Sequence, residues 1–192
     1  MPTIIFIGPM GAGKSTVADL LAKKLQMPRC ELDAVRWDYY NEIGYDHNEA
    51  HRLRREDGPW AMLQYWKPFE VHAVERVLAE YPDHVIDFGA GHSVYDDAAQ
   101  LRRVAAALAP FPHVILLLPA PDVAESMRIL NERARAVMRA DDVPDAAIDE
   151  WLHYTRYFVE HPSNQRLAKR TVYTKEKSPE ATCTEIMEYL VL

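Results

Sequence analysis

Short apolar runs alternate along the chain with longer stretches of helical periodicity, the pattern of a parallel α/β sheet. Residues 3–7, Thr3-Ile4-Ile5-Phe6-Ile7, are continuous in β-formers and read as a strand buried on both faces. A helix follows over residues 14–26, where Val17, Leu20, Leu21 and Leu25 recur at helical spacing. Residues 29–32 form a weak second strand, 84–88 and 113–118 stronger ones, and 171–174 the last. Ser178 suits the N-cap of a final helix, Pro179 its first position and Glu180 the positive end of its dipole.

Between the second and third strands the pattern changes. Residues 33–83 are too long for a plain crossover and dense in aromatics, including Trp37, Tyr39, Tyr40, Tyr45, Trp60, Tyr65, Trp66 and Phe69. This stretch reads as a helical insertion over the C-terminal edge of the sheet, where open α/β folds bind ligands. Its rings either stack on a ligand or fill the insertion's own core. Its basic run His51-Arg52-Leu53-Arg54-Arg55 either faces an anion or forms a solvated face with an Arg52–Glu56 pair. No repeat or low-complexity segment interrupts the chain, so residues 1–192 are expected to form a single domain.

Composition narrows the partners. A net charge of −7 counts against nucleic acid, which calls for a basic stripe. Two distant cysteines, Cys30 and Cys183, read as free thiols in a reducing compartment. The N-terminus lacks a basic region ahead of its apolar run, and no run is long enough to span a bilayer. The expectation is a cytoplasmic protein with no membrane partner.

The segment Gly8-Pro9-Met10-Gly11-Ala12-Gly13-Lys14-Ser15 matches G-x-x-x-x-G-K-[ST] at every fixed position, between a strand and a helix. Glycines let the loop turn its N–H groups inward onto phosphate oxygens, and the helix N-terminus adds partial positive charge. Lys14 then supplies a full charge to the β- and γ-phosphates, Ser15 a hydroxyl for Mg²⁺, and Thr16 a contact to the α-phosphate. This is a nucleoside-triphosphate cradle, most simply for ATP with magnesium. Val85-Ile86-Asp87 is an apolar strand ending in an acid, as in a Walker B element. Asp87 either serves the metal or caps the turn into Gly89-Ala90-Gly91. Glu31 and Asp33 share a face if the second strand continues through them. Asp33 is either a general base for an acceptor hydroxyl or an N-cap, and Glu31 an outer metal group. His92, following Gly91, sits at the ligand edge.

The phosphate loop, followed after one helix by Glu31-Leu32-Asp33, resembles shikimate kinase, a family within the nucleoside-monophosphate-kinase-like P-loop kinases. The resemblance implies a three-layer P-loop NTPase fold with a five-stranded parallel sheet in the order 2-3-1-4-5. It implies transfer of the ATP γ-phosphoryl group to a small-molecule hydroxyl. Asp33 would then be the substrate-binding aspartate, and Gly89, Ala90 and Gly91 the substrate-side turn. Residues 131–144 would be a lid whose Arg133 or Arg135 meets the phosphates, and residues 174–179 would lie beside the adenine. Two arginines that hold shikimate's carboxylate in that family have no counterpart in Trp66-Lys67-Pro68-Phe69 or Val159-Glu160-His161-Pro162. Lysine does not replace a bidentate arginine. The expectation is a kinase of this superfamily with an acceptor other than shikimate. The alternative is a nucleotide-dependent switch with slow hydrolysis and a protein partner.

Overall fold

A computed structural model describes residues 2–140 and 145–190. Five parallel strands, β1 (Ile4–Ile7), β2 (Arg29–Glu31), β3 (Val85–Asp87), β4 (His113–Leu118) and β5 (Arg170–Tyr173), form one sheet in the order β2-β3-β1-β4-β5. This is the expected 2-3-1-4-5 arrangement. β1 lies at the centre, with Ile5 opposite Ile86 on one side and Val114 on the other.

Alternation along the strands divides the core into two layers. Ile4, Phe6, Val85, Ile115, Leu117 and Val172 face helices α1 (Lys14–Leu25) and α9 (Pro179–Leu190), where Val17, Leu21, Cys183 and Ile186 meet them. Ile5, Ile7, Ile86, Val114, Leu116 and Leu118 face the other way. There they pack against helix α4 (Pro59–Glu80), helix α5 (Ala98–Leu108) and helix α8 (Pro162–Leu167). Both cysteines are free and buried, and burial pushes the Cys30 thiol up to about 11.

Residues 33–83 hold most of three helices, α2 (Leu32–Glu42), α3 (His47–Glu56) and α4. Their aromatics fill a core: Tyr39, Tyr40, Tyr45 and Phe69 are buried, with Trp37, Tyr65 and Trp66 packed around them. Arg52 pairs with Glu49 at 2.7 Å and with Glu56 at 2.9 Å on the solvated face of α3, whereas Arg54 of the same run lines a cavity beside the insertion. A short 3-10 turn at Ala90–Ser93 follows β3. Helix α6 (Val123–Ala140) and helix α7 (Asp145–Glu160) pack together across the proposed lid, of which residues 141–144 lie outside the described residues. Among the described residues no helix is long and apolar enough to cross a membrane.

One correction concerns the second strand. β2 stops at Glu31, which takes the N-cap position of α2, and the buried Leu32 already belongs to the helix. Glu31 and Asp33 therefore do not share a strand face. Asp33 sits in the first helical turn and does not cap it.

β1 passes into the phosphate loop at Gly8, where the fold tolerates no side chain. Its φ is +130°, and a Cβ there would stand 2.5 Å from the carbonyl oxygen of Leu117. Gly8→Ala is expected to cost at least about 2 kcal/mol, from backbone strain and overpacking together. A urea denaturation midpoint equal to that of the unaltered protein would contradict this account.

Candidate functional site

The phosphate loop turns through two further left-handed glycines, Gly11 at φ +74° and Gly13 at +95°, and Gly13 is the N-cap of α1. No side chain caps that helix. Its first N–H groups have no partner within the helix, which is the arrangement that receives an anion. Lys14 Nζ folds back over the loop and donates to the carbonyls of Gly8 at 2.8 Å and Pro9 at 2.9 Å. Burial lowers its pKa to about 8, against the upward pull of Asp33 and Asp87.

A cleft of about 660 Å³ opens over this loop. Gly11 to Thr16 line one wall, and Asp87, Gly89, Arg133, Thr174 and Lys177 complete it. The Thr174 hydroxyl is buried without a hydrogen-bond partner. Arg133 donates from Nη1 to the carbonyl of Gly11 at 3.2 Å. Arg135 is absent from the lining and is engaged elsewhere. Two residues apart on a helix, the two arginines leave on opposed faces.

Asp87 reaches the cleft, but both its oxygens are taken. Arg29 donates from Nε to Oδ1 at 2.9 Å and from Nη2 to Oδ2 at 3.1 Å, and it also touches Glu31 Oε2 at 3.3 Å. Reading Arg29 only as the opening residue of β2 concealed this bidentate pair. Glu31 is drawn into the same network and does not line the cleft. Ser15 does line it, with an exposed side chain at the start of α1.

A second cavity of about 410 Å³ adjoins the first. Met10, Asp33, Ala90 and Met138 line both. Asp33 points there because Gly89 makes room: a Cβ on that glycine would lie 2.3 Å from Asp33 Oδ1. Arg36, on the next turn of α2, donates to the same oxygen at 2.8 Å. The Arg36 guanidinium lies over the rings of Trp37 and Trp66, 4.4 Å and 5.5 Å from their centroids. His92 Nδ1 is 4.0 Å from Asp33 Oδ1, and its Nε2 lies 3.3 Å from the Tyr40 hydroxyl. Burial lowers the imidazole to about 4, so His92 is neutral.

Glu70, in the wall of this cavity, belongs to a buried ion pair that sequence reading did not find. Lys67 donates to Glu70 Oε2 at 2.6 Å and to the Gly91 carbonyl at 3.1 Å, and both side chains are buried. The signal available was the i, i+3 spacing of opposite charges, which surface helices share. Gly91 is needed here for room, since its Cβ would fall 1.9 Å from Glu70 Oε1. Lys67 is thus already neutralised by its neighbour. Among the described residues no three His, Cys, Asp or Glu side chains gather to hold a metal.

A family model for the AAA domain matches residues 4–157. The chain belongs to this family. Its architecture is that of the shikimate kinase-like P-loop superfamily. A shikimate kinase of Corynebacterium efficiens is 25% identical over 191 residues, covering 98% of this chain and 96% of that protein. The structure of shikimate kinase from Acinetobacter baumannii in complex with shikimate superposes with a TM-score of 0.66 at 18% identity, covering 100% of this chain and 93% of that one. A gluconokinase from Sinorhizobium meliloti gives 0.52 at 17% identity, covering 99% and 96%.

Within this AAA-family fold the buried pair sets a stability requirement. Glu70→Leu leaves Lys67 charged and unpaired, and is expected to destabilise by about 3–5 kcal/mol. Lys67→Met with Glu70→Leu should recover most of that loss. Urea unfolding of the single and double variants checks this; equal losses in both would show that packing, and not charge, holds this wall.

Proposed function

We propose that this protein is a kinase that moves the γ-phosphoryl group of Mg-ATP to a hydroxyl of a small-molecule acceptor. The observation that carries this reading is the meeting of two cavities at Asp33. One lies over the phosphate loop, and the other is a separate chamber large enough for a small acceptor. Relatives named shikimate kinase over nearly the whole chain support the same class.

The residues present suit the nucleotide. The uncapped start of α1 and the inward loop would receive the phosphates, and the unpartnered Thr174 hydroxyl lies in the same cleft. Magnesium needs only one or two protein groups beside phosphate and water. The exposed Ser15 would hold it, with Asp87, oriented by Arg29, facing the same cleft. The ion would neutralise charge on the β- and γ-phosphates.

Asp33 accepts the acceptor's hydroxyl proton as that oxygen bonds to the γ-phosphorus. The bond from phosphorus to the β–γ bridging oxygen breaks, and ADP departs with that electron pair. Lys14 leaves the Gly8 and Pro9 carbonyls to bind phosphate, and Arg133 leaves Gly11 to meet the transferring group. Gly89, Ala90 and Gly91 hold the acceptor side of the turn.

Transfer from γ-labelled ATP into a pool of small alcohols and sugars tests the reading. Asp33→Asn should lower the rate by about 10²–10⁴ and leave ATP affinity nearly unchanged. Lys14→Met should lower it by about 10³ or more with the fold intact. Label appearing only as inorganic phosphate, equally in both proteins, would defeat the proposal.

A pH dependence follows from Lys14. Its charge is present below a pKa of about 8 and lost above it. ATP affinity should therefore fall above pH 8, by up to about tenfold per unit, and the fall should vanish in Lys14→Met. Titration calorimetry across this range would show it.

A further inference from the structure

The acceptor cavity has an unusual charge balance. Its two carboxylates each have a partner already: Asp33 is held by Arg36 at 2.8 Å, and Glu70 by Lys67 at 2.6 Å. The other cation in the wall, Arg54, is not free either. The remaining surface is largely apolar, with the rings of Trp66, Tyr154 and Phe158 and the thioethers of Met62 and Met138 among its lining. Rings present flat faces to a flat ligand, and methionine adapts to its outline.

An anionic acceptor would leave water for a largely apolar chamber and would meet two carboxylates there, whose partners Arg36 and Lys67 are already engaged with them. That desolvation would go uncompensated. A cationic acceptor would have to displace Arg36 or Lys67 from its partner. An uncharged alcohol loses neither kind of solvation. Its hydroxyl reaches Asp33, which can accept a second hydrogen bond, and its body meets the rings.

We propose that the acceptor is an uncharged alcohol with an aromatic or similarly flat apolar body, seated against Trp66, Tyr154 and Phe158 with its hydroxyl at Asp33. This rests on the kinase reading only for what happens to the hydroxyl. Which molecule the cavity selects depends on its walls alone.

Three probes that share one reactive arm test it on the full chain: 2-phenylethanol, its 4-carboxylate and its 4-aminomethyl derivative. Binding is read from tryptophan fluorescence, with Trp66→Phe identifying the signal from this cavity, and transfer is read from γ-labelled ATP. 2-Phenylethanol is expected to bind at least about tenfold more tightly than either charged probe. Tyr154→Ala should weaken it about fivefold or more while leaving ATP affinity unchanged. Equal or tighter binding of a charged probe, or binding of none, overturns the proposal. The two readings fail separately. Neutral-first binding without label transfer would sustain the ligand class and defeat the kinase reading, whereas label entering the carboxylate probe would do the reverse.

Discussion

Two carboxylates resting on two glycines of one turn hold the site together. Asp33 from α2 occupies the space above Gly89, and Glu70 from α4 the space beside Gly91. Neither glycine is there for an unusual backbone angle, since neither has a positive φ. They are there because any Cβ would evict an oxygen. The turn leaves the end of β3, so the helices of residues 33–83 are fastened to the sheet at its ligand-binding edge. The second cavity exists because this fastening holds α2 and α4 against the turn.

The same contacts determine the electrostatics. Glu70 faces the interior only because Lys67 accompanies it, and the two give up little net charge to the cavity. Asp33 is more exposed, and Arg36 balances it from the adjacent turn. On the nucleotide side the balance is reversed. Lys14 is buried among loop carbonyls, the helix start is uncapped, and Arg133 waits on Gly11. A cleft rich in phosphate-binding groups and a largely apolar cavity thus share a wall at Asp33, which suits the proposed transfer of a highly charged group to an uncharged molecule.

Much of the fold was legible in the chain. β4 falls on residues 113–118 as its apolar run indicates, and the phosphate loop, α1 and the start of α9 lie where motif and capping residues place them. The order of the sheet came from resemblance, because strand neighbours are not encoded in local pattern. Residues whose partners are remote in sequence were less legible. Arg29 and Asp87 are 58 positions apart, and nothing in either neighbourhood announces their pairing. The Arg36 guanidinium lies over the ring of Trp66, thirty positions away, a contact that local pattern does not announce. α4 runs from Pro59 to Glu80 with Pro68 inside it. The extension of β2 through Asp33 failed because Leu32 finds its buried place as a helical residue, not as a strand residue.

The two thiols have a consequence of their own. Cys30 packs in the layer beneath α4 and α5, and Cys183 in the layer beneath α1 and α9, so the sheet separates them completely. Each is hidden and weakly acidic while its own layer is closed. The molecule therefore carries one built-in chemical reporter on each side of its sheet. Labelling kinetics at the two sites would register which layer opens first, without a single added probe.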